Sequence, residues 1–214
     1  MKLSIIIIGR NDGYVGFLER LSTSIKENDA VFKKYFKFSY EFLFIDWCSR
    51  EGKEVYKTPE LKALKGININ HILVPRAIAI DKFCTDRFYQ FFAKNVGYRH
   101  ATGEWILSIN ADNIIKKDLA LEINRLVLIG NAGEFYRTRW WQEIKKDKKG
   151  EHILRRLNCD SASAIAVDRG LATTYSGDFL LCKKSTVINE GRGHDELEKQ
   201  QQTALPQATK DGEI

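Results

Sequence analysis

The sequence lacks a long apolar run and a recognisable secretory leader. Its longest unbroken aliphatic run is Ile5–Ile8, whereas a helix that crosses a bilayer needs roughly 20 nearly continuous apolar residues. We therefore expect no membrane span. Met1-Lys2 leads directly into a segment with the pattern of a core strand, which argues against a cleaved signal peptide. Together these absences favour a cytoplasmic protein.

Cysteine is scarce and widely spaced. Cys48, Cys84, Cys159 and Cys182 lie 36, 75 and 23 residues apart, so no Cys-x-x-Cys pair exists and a zinc ribbon or thioredoxin-type site is excluded. A disulfide framework is not expected in a chain of this size without a leader. We interpret the four residues as buried or incidental thiols in a reducing compartment.

Acidic residues are outnumbered by basic ones. Lys and Arg total 34 against 28 Asp and Glu, which gives a formal net charge of +6. This balance favours polyanionic partners such as nucleic acid, anionic lipid head groups or nucleotide phosphates. Part of the excess lies in the run Lys145–Lys149, which we interpret as a solvated hairpin tip. With 43% apolar and 11% aromatic residues, the chain has enough hydrophobic residues for a core and is not a disordered one.

The first half of the chain alternates strand and helix patterns. The predicted strands are Lys2–Ile8, Tyr40–Ile45, Ile67–Val74 and Glu104–Ile109, and helical patterns cover residues 14–28, 85–101 and 118–128, with a weaker one towards residue 64. This order predicts an α/β fold with a mostly parallel sheet covered by helices on both faces. In the helix over 85–101, the stripe of Phe88, Phe91, Phe92 and Val96 predicts core packing.

The second half of the chain shows a different pattern of secondary structure. Glu134–Trp141 and His152–Leu157 predict an antiparallel hairpin around the lysine run, and Cys159–Gly177 reads as a loop. Asp178–Cys182 predicts one more strand and Ser185–Asn189 a short helix.

Polar residues follow three of the first four strands. They are the segments Gly9-Arg10-Asn11-Asp12, Asp46, and Asn110-Ala111-Asp112-Asn113. One Asp after a strand is usually a helix cap or an Asx turn. Ligands of open parallel sheets bind at the carboxyl ends of the strands, so three such segments at one edge predict a crevice that binds a metal or a nucleotide.

In their order and spacing, these segments resemble the GT-A glycosyltransferases, particularly the large family 2 of nucleotide-sugar-dependent enzymes. The resemblance covers residues 3–115 and continues more loosely to about 196. Its most specific parts are Ala93–Gly97, Ala101–Glu104 and Asn110–Asp112, similar to the family's Ala-Arg-Asn-x-Gly helix, Ala-x-Gly-Glu turn and D-x-D strand end. It implies a GT-A fold with a small antiparallel part on the acceptor side.

The resemblance also implies a domain organisation. Residues 1–196 would form one domain, with a nucleotide-binding half over 1–115 and an acceptor-side half over 116–196. The polar residues 197–214 would be a tail or a linker to further domains. A fainter resemblance is to the front module of a virus-encoded, chlorovirus-type multidomain glycosyltransferase, which implies the host cytoplasm as location.

The implied donor is a UDP-sugar, and the implied cofactor is Mn²⁺ or Mg²⁺. The donor-binding residues implied by the resemblance are Gly9, Arg10, Asp12, Asp46, Trp47, Lys94, Asn95, Asn110, Ala111 and Asp112. Among them, Asp112 would bind the metal, and Asp46 would accept from the base or ribose beside Trp47. Asn110 departs from the family's first Asp, and we expect it to contact the ribose or a metal-bound water. Lys94 would offer charge to phosphate, or is a solvated helix lysine.

An inverting transfer needs a carboxylate that deprotonates the acceptor hydroxyl. Glu190–Glu196 is similar to the late Gly-Gly-x-Asp-Glu segment of the family, which implies Asp195 as the general base, with Glu196 and Asp178 as reserves. His194 would bind the metal or phosphate, although a lone histidine is more often structural.

The acceptor would be a glycan or a glycoprotein. Arg137, Arg139, Trp140 and Trp141 lie where relatives often bind it. Tandem Trp residues suit sugar stacking, and packing against the sheet is the alternative.

Two other functions stay open at this point. A sugar nucleotidyltransferase would use the same sheet but generally carries a Gly-rich basic loop after the first strand, where Gly9–Gly13 offers one Arg. A non-enzymatic nucleic-acid binder would account for the net charge and would bind more weakly as salt rises. Because no nucleic-acid-binding module is recognisable, we expect no stable nucleic-acid partner.

Overall fold

A computed structural model describes residues 2–83, 87–130, 135–137, 141–146, 152–158, 166–168 and 179–186. The strands in these ranges are β1 (Leu3–Gly9), β2 (Tyr40–Trp47), β3 (Ile69–Val74), β4 (Trp105–Ile109), β5 (Asn113–Ile114), β6 (Phe135–Arg137), β7 (Trp141–Lys146), β8 (His152–Asn158), β9 (Ala166–Asp168) and β10 (Phe179–Lys183). The helices are α1 (Phe17–Tyr35), α2 (Pro59–Lys62), α3 (Arg76–Phe83), α4 (Gln90–His100) and α5 (Lys117–Ile129), with a 3₁₀ turn over Val55–Lys57.

The main sheet has seven strands in the order β3-β2-β1-β4-β10-β6-β9. The first four are parallel, with Ile5 of β1 opposite Phe42 of β2 and Leu107 of β4. Strands β10, β6 and β9 continue the sheet in antiparallel pairs. A second sheet has the order β5-β8-β7. The predicted α/β architecture, with a parallel region and an antiparallel region, is confirmed.

Strand β1 is buried along its whole length because both faces of the sheet are covered. Ile5 and Ile7 face the core formed with α1 and α5, whereas Ile6 and Ile8 face the core on the side of α4. The near-continuous aliphatic pattern follows from this, since alternate side chains point to opposite faces. At Gly97 of α4 an added Cβ would lie 2.5 Å from Cγ2 of Ile6, so this glycine lets the helix approach the sheet closely.

The predicted apolar stripe is only partly in the core, since Phe92 and Val96 pack against it and the other two residues do not. Phe91 is 60% exposed and Phe88 is 37% exposed. Helix α4 begins at Gln90, so Phe88 precedes it, and the buried face of the helix consists of Ala93, Lys94 and Gly97. The core-packing interpretation is wrong for Phe88 and Phe91, because the helix approaches the sheet through the face that carries Ala93 and Gly97.

The predicted antiparallel hairpin is present in the second half, but its first strand has other bounds than predicted. Strand β6 ends at Arg137 and joins the main sheet, whereas β7 begins at Trp141 and pairs with β8. The predicted strand 134–141 therefore contributes to two sheets. Lys145 and Lys146 belong to β7 instead of the hairpin tip, and β9 lies within the predicted loop 159–177.

Two further expectations concern thiols and membranes. Cys48 and Cys182 are buried thiols, as interpreted, while Cys84 and Cys159 lie outside the described residues. Within the described part of the chain, no helix is both long and apolar enough to span a bilayer.

A buried carboxylate ties together the amino ends of four strands. Glu41 of β2 is 2% exposed and accepts hydrogen bonds from Ser4 Oγ (2.6 Å), from N and Oγ1 of Thr102 (3.0 and 2.6 Å) and from Nδ2 of Asn70 (2.6 Å). Burial alone would raise the pKa of Glu41, but these hydrogen bonds outweigh it and hold the pKa below the usual 4.5.

We expect acid to destabilise the fold partly through Glu41. A carboxylate whose pKa is depressed by folding contributes stability above its unfolded pKa of about 4.5 and loses it as the pH falls through the folded value. Glu41→Gln should lower the free energy of unfolding at pH 7 by about 1–3 kcal/mol and flatten its decline below about pH 4.5. Urea denaturation at a series of pH values measures both effects.

Asn70→Ala is the matched control, because it removes one donor and keeps the titrating group. It should retain the decline below about pH 4.5. Equal pH profiles for Glu41→Gln and the unmodified chain would contradict the prediction.

Candidate functional site

A cavity opens at the carboxyl ends of β1 and β4. Its volume is about 240 Å³. Three distant stretches of the chain form its wall, namely the end of β1 with the start of α1, the residues before α4, and the residues after β4. The lining residues are Ile8, Gly9, Arg10, Asp12, Tyr14, Phe17, Arg20, Phe88, Gln90, Asn110, Ala111 and Asp112.

Gly9 lets helix α1 close one side of this cavity. An added Cβ at Gly9 would lie 2.4 Å from Cζ of Phe17 and 3.1 Å from Cζ of Phe44. No side chain fits between these rings, so the end of β1 needs glycine. The first turn of α1 can then reach the cavity with Phe17 and, one turn later, with Arg20.

Charges of both signs meet in the cavity. Arg10 Nε lies 4.0 Å from Oδ2 of Asp12, and Arg20 Nε lies 4.0 Å from Oδ2 of Asp112. These are ion-pair distances, longer than a hydrogen bond. All four side chains are between 19% and 45% exposed, so water and ligands can reach them.

Buried polar groups of α1 fix the segment that carries Asp112. Ser24 Oγ and Asn28 Nδ2 donate to the carbonyl of Asn113 at 2.6 and 2.8 Å, and the Ile115 N–H donates to Oδ1 of Asn28 at 2.7 Å. Ser24 and Asn28 lie on the same buried helix face as Ile25 and the rest of the apolar stripe. They therefore hold the backbone directly after Asp112.

Asp46 is a buried residue that holds the loops next to the cavity through hydrogen bonds. It is fully buried, and its two oxygens accept from Ser49 Oγ and, at 2.8 Å, from the Val55 N–H. Ser49 Oγ in turn accepts from the Asn11 N–H at 2.8 Å, which links the end of β2 to the loop after β1. Burial is the main cause of the raised pKa of Asp46. Asp46 does not line the cavity, so this placement does not support direct contact with a base or ribose.

Trp47 also makes a hydrogen bond to a backbone group. It is fully buried, and its Nε1 donates to the carbonyl of Arg87 at 3.0 Å. This bond holds the stretch that brings Phe88 and Gln90 to the cavity. Because its ring lies in the core, this placement does not support stacking on a base, which stays a prediction.

The remaining predicted site residues fall into three groups. Lys94 is buried in α4, Asn95 is exposed, and neither lines the cavity. Arg137 and Trp141 belong to β6 and β7, in different sheets. Six residues lie outside the described ranges and stay predictions: Arg139, Trp140, Asp178, His194, Asp195 and Glu196.

Sequence reasoning missed much of the cavity wall. Tyr14, Phe17, Arg20, Phe88 and Gln90 line it and were not among the predicted site residues. Phe17 and Phe88 carry periodic patterns that predict core positions. Asn28 and Ser24 did leave a signal, because they interrupt the apolar stripe of α1 with polar groups.

No family model matches the chain, and no curated protein sequence matches it significantly. Solved structures do. GalNAc-T7 with UDP, GalNAc and Mn²⁺ aligns with a TM-score of 0.50 at 12% identity, over 89% of this chain and 36% of that one. The chain has the GT-A fold.

Two other GT-A matches are weaker in overall superposition. The galactosyltransferase LgtC, in complex with donor and acceptor sugar analogs, aligns with a TM-score of 0.49 at 13% identity, over 95% of this chain and 66% of that one. The mannosyltransferase PcManGT from Pyrobaculum calidifontis, in complex with GDP-Man and Mn²⁺, aligns at 0.44 and 21%, over 62% of this chain and 34% of that one. The chain thus spans about a third of the length of GalNAc-T7 and of PcManGT.

The oxygen donors of the cavity fit a hard divalent cation. Asp112 offers a carboxylate and Asn110 an amide carbonyl from the same wall, and Mg²⁺ or Mn²⁺ prefers such oxygen ligands. Among the described residues, no three His, Cys, Asp or Glu side chains form a metal cluster. Beyond Asp112 and Asn110, a cation held here would take ligands from water, from substrate phosphates or from residues outside the described ranges, among which His194 stays a prediction.

The bonds made by Asn28 predict a local effect on the segment after Asp112. Asn28→Ala leaves the buried Ile115 N–H without its acceptor, which costs about 1–3 kcal/mol in the free energy of unfolding. Hydrogen exchange should show faster exchange at the Ile115 amide.

Ser24→Ala is the control, since it removes one donor to the Asn113 carbonyl and leaves the Ile115 bond in place. Unchanged exchange at Ile115 in Asn28→Ala would show that this side chain does not hold the segment.

Proposed function

We propose that the protein is a metal-dependent, inverting glycosyltransferase that moves a sugar from a UDP-sugar to a hydroxyl of a glycan or glycoprotein. One observation carries the proposal. Six of the ten donor-binding residues implied by the sequence line a single cavity of a GT-A fold: Gly9, Arg10, Asp12, Asn110, Ala111 and Asp112. They come from the carboxyl ends of two adjacent parallel strands, where α/β folds bind nucleotides.

Asp112 is the proposed metal ligand, with Asn110 beside it. Bound to the donor's phosphates, a divalent cation supplies Lewis-acid neutralisation of the charge on the leaving group. GalNAc-T7 and PcManGT were each solved with Mn²⁺, the first with UDP and the second with GDP-Man, which supports this class of ligand.

The protein's own groups have distinct tasks in this reaction. The acceptor oxygen attacks the anomeric carbon, the bond from that carbon to the donor's phosphate oxygen breaks, and the nucleoside diphosphate departs with the bonding electrons. The acceptor proton passes to a carboxylate, for which Asp195 is our candidate. Arg10, beside Asp12 in the cavity, offers positive charge towards the phosphates.

The metal assignment predicts a loss of cation-dependent nucleotide binding. Asp112→Asn removes the carboxylate and keeps the shape, so UDP affinity in Mn²⁺ should fall at least about tenfold, the equivalent of 1.4 kcal/mol. In the unmodified protein, UDP and Mn²⁺ at about 100 times the dissociation constant should add about 2.7 kcal/mol of stability. Calorimetric titration and thermal unfolding measure the two quantities.

Asp118→Asn provides the matched control, because Asp118 is exposed on α5 and does not line the cavity. Equal UDP affinity in Asp112→Asn and Asp118→Asn would reject Asp112 as a ligand. Running the titrations with UDP, GDP and TDP also identifies the base that the cavity prefers.

The general-base assignment is tested by turnover. Asp195→Asn should lower kcat by about 10²–10⁴-fold and leave UDP affinity within about twofold, because the base contacts the acceptor. Glu196→Gln and Asp178→Asn, assayed in parallel, test the reserve candidates. Full turnover in Asp195→Asn would exclude it as the base. Release of pyrophosphate from a nucleoside triphosphate would instead indicate a sugar nucleotidyltransferase.

A further inference from the structure

Arg20 bridges two sides of the cavity. Its Nη1 donates to the carbonyl of Val15 at 2.9 Å, and its guanidinium carbon lies 4.9 Å from the centre of the Tyr14 ring. On the other side, Nε lies 4.0 Å from Oδ2 of Asp112. Gly16 makes room for this arrangement, since an added Cβ there would lie 3.1 Å from Nη1.

The two sets of contacts differ in strength. The bond to Val15 has ordinary hydrogen-bond length, whereas 4.0 Å to Asp112 is an ion pair without a hydrogen bond. Arg20 and Asp112 are 27% and 34% exposed, and exposed pairs of this kind contribute about 0–1 kcal/mol. The loop therefore anchors the guanidinium, and Asp112 holds it loosely.

The charges of the cavity indicate what this loose pair does. Arg10 and Arg20 balance Asp12 and Asp112, and Asn110 adds no charge. A divalent cation on Asp112 leaves the cavity with a surplus of positive charge, which matches the dianionic diphosphate of a nucleotide sugar. Because a guanidinium has five donors in a fork that suits phosphate oxygens, Arg20 has donors to spare once Val15 has taken one.

We propose that Arg20 is a phosphate-binding cation of the donor site, which pairs with Asp112 in the free protein and turns to the donor's diphosphate when a divalent cation takes Asp112. This inference rests on the proposed function, because it needs Asp112 to bind a cation. It assigns Arg20 two successive anionic partners, a carboxylate and then a diphosphate, while Val15 and Tyr14 keep its head group at the cavity.

The proposed exchange of partners by Arg20 predicts that one variant binds Mn²⁺ more tightly and a diphosphate more weakly. Arg20→Gln removes the competitor for Asp112, so Mn²⁺ affinity without nucleotide should rise by up to about fivefold. The same variant loses charge-assisted hydrogen bonds to phosphate, so affinity for UDP and for pyrophosphate in Mn²⁺ should fall about 10- to 100-fold. Electron paramagnetic resonance of free Mn²⁺ measures the first quantity, and calorimetric titration the second.

Two further variants make the result specific. Arg20→Lys keeps the charge but not the fork, and it should recover part of the lost pyrophosphate affinity. Arg99→Gln, at an exposed arginine of α4 that does not line the cavity, should change neither affinity. Thermal unfolding of each variant reports whether the loop that Arg20 anchors is intact.

The possible results separate this inference from the function on which it rests. If the unmodified protein binds no nucleoside diphosphate with Mn²⁺, both are overturned. If it binds UDP and Asp112→Asn does not, but Arg20→Gln binds UDP within about twofold of the unmodified protein, the inference alone is wrong. A parallel loss of Mn²⁺ and diphosphate affinity in Arg20→Gln would show a structural role and would also overturn it.

Discussion

The buried face of helix α1 connects the sheet to the candidate site. Leu21, Ile25 and Phe32 pack into the core, and Asn28 and Ser24 on the same face bind the backbone after Asp112. An apolar helix face would bury its neighbour but would leave polar backbone of the strand-end segment without partners, at a cost of about 1–3 kcal/mol for each group. The same helix can therefore both stabilise the sheet and fix the position of the acidic segment.

Residues at the ends of the strands contribute to the cavity in two ways: they line its wall, or they hold the neighbouring loops in place. After β1 and β4, side chains such as Asp12 and Asp112 line the wall directly. At the end of β2, Asp46 and Trp47 turn inward and bind backbone groups of the neighbouring loops. Asp46 therefore positions Asn11 indirectly, because Ser49 Oγ donates to Asp46 and accepts from the Asn11 N–H. Burial is the main cause of the raised pKa of Asp46, and its hydrogen bonds from Ser49 and Val55 oppose that shift.

Much of the fold could be predicted from the sequence, and less of the site. Near-continuous apolar runs such as Ile5–Ile8 reflect burial on both faces, which the pattern reports directly. The core positions predicted for Phe88 and Phe91 were wrong, because periodicity shows that a helix has an apolar face but not which face meets the sheet. In α4, Gly97 determines the buried face by allowing close approach. Strand β7 carries charged residues, so its hydrophobic pattern was weak. For Asp46 the position after a strand was readable, but the direction of its side chain depends on Ser49 and Val55.

Asn110 gives the cavity its charge balance. With an aspartate there, the cavity would hold a second carboxylate close to Asp112, and under the proposed function a cation would bind more tightly in the absence of a donor. In the proposed exchange, Arg20 and a cation compete for the carboxylate of Asp112, so the cation would gain most when a diphosphate is present to receive Arg20. Binding of the cation and of the donor is then coupled, and each must strengthen the other by the same factor. Under the proposed function, the neutral side chain at 110 would therefore favour a cation that binds together with the donor over one that is bound permanently.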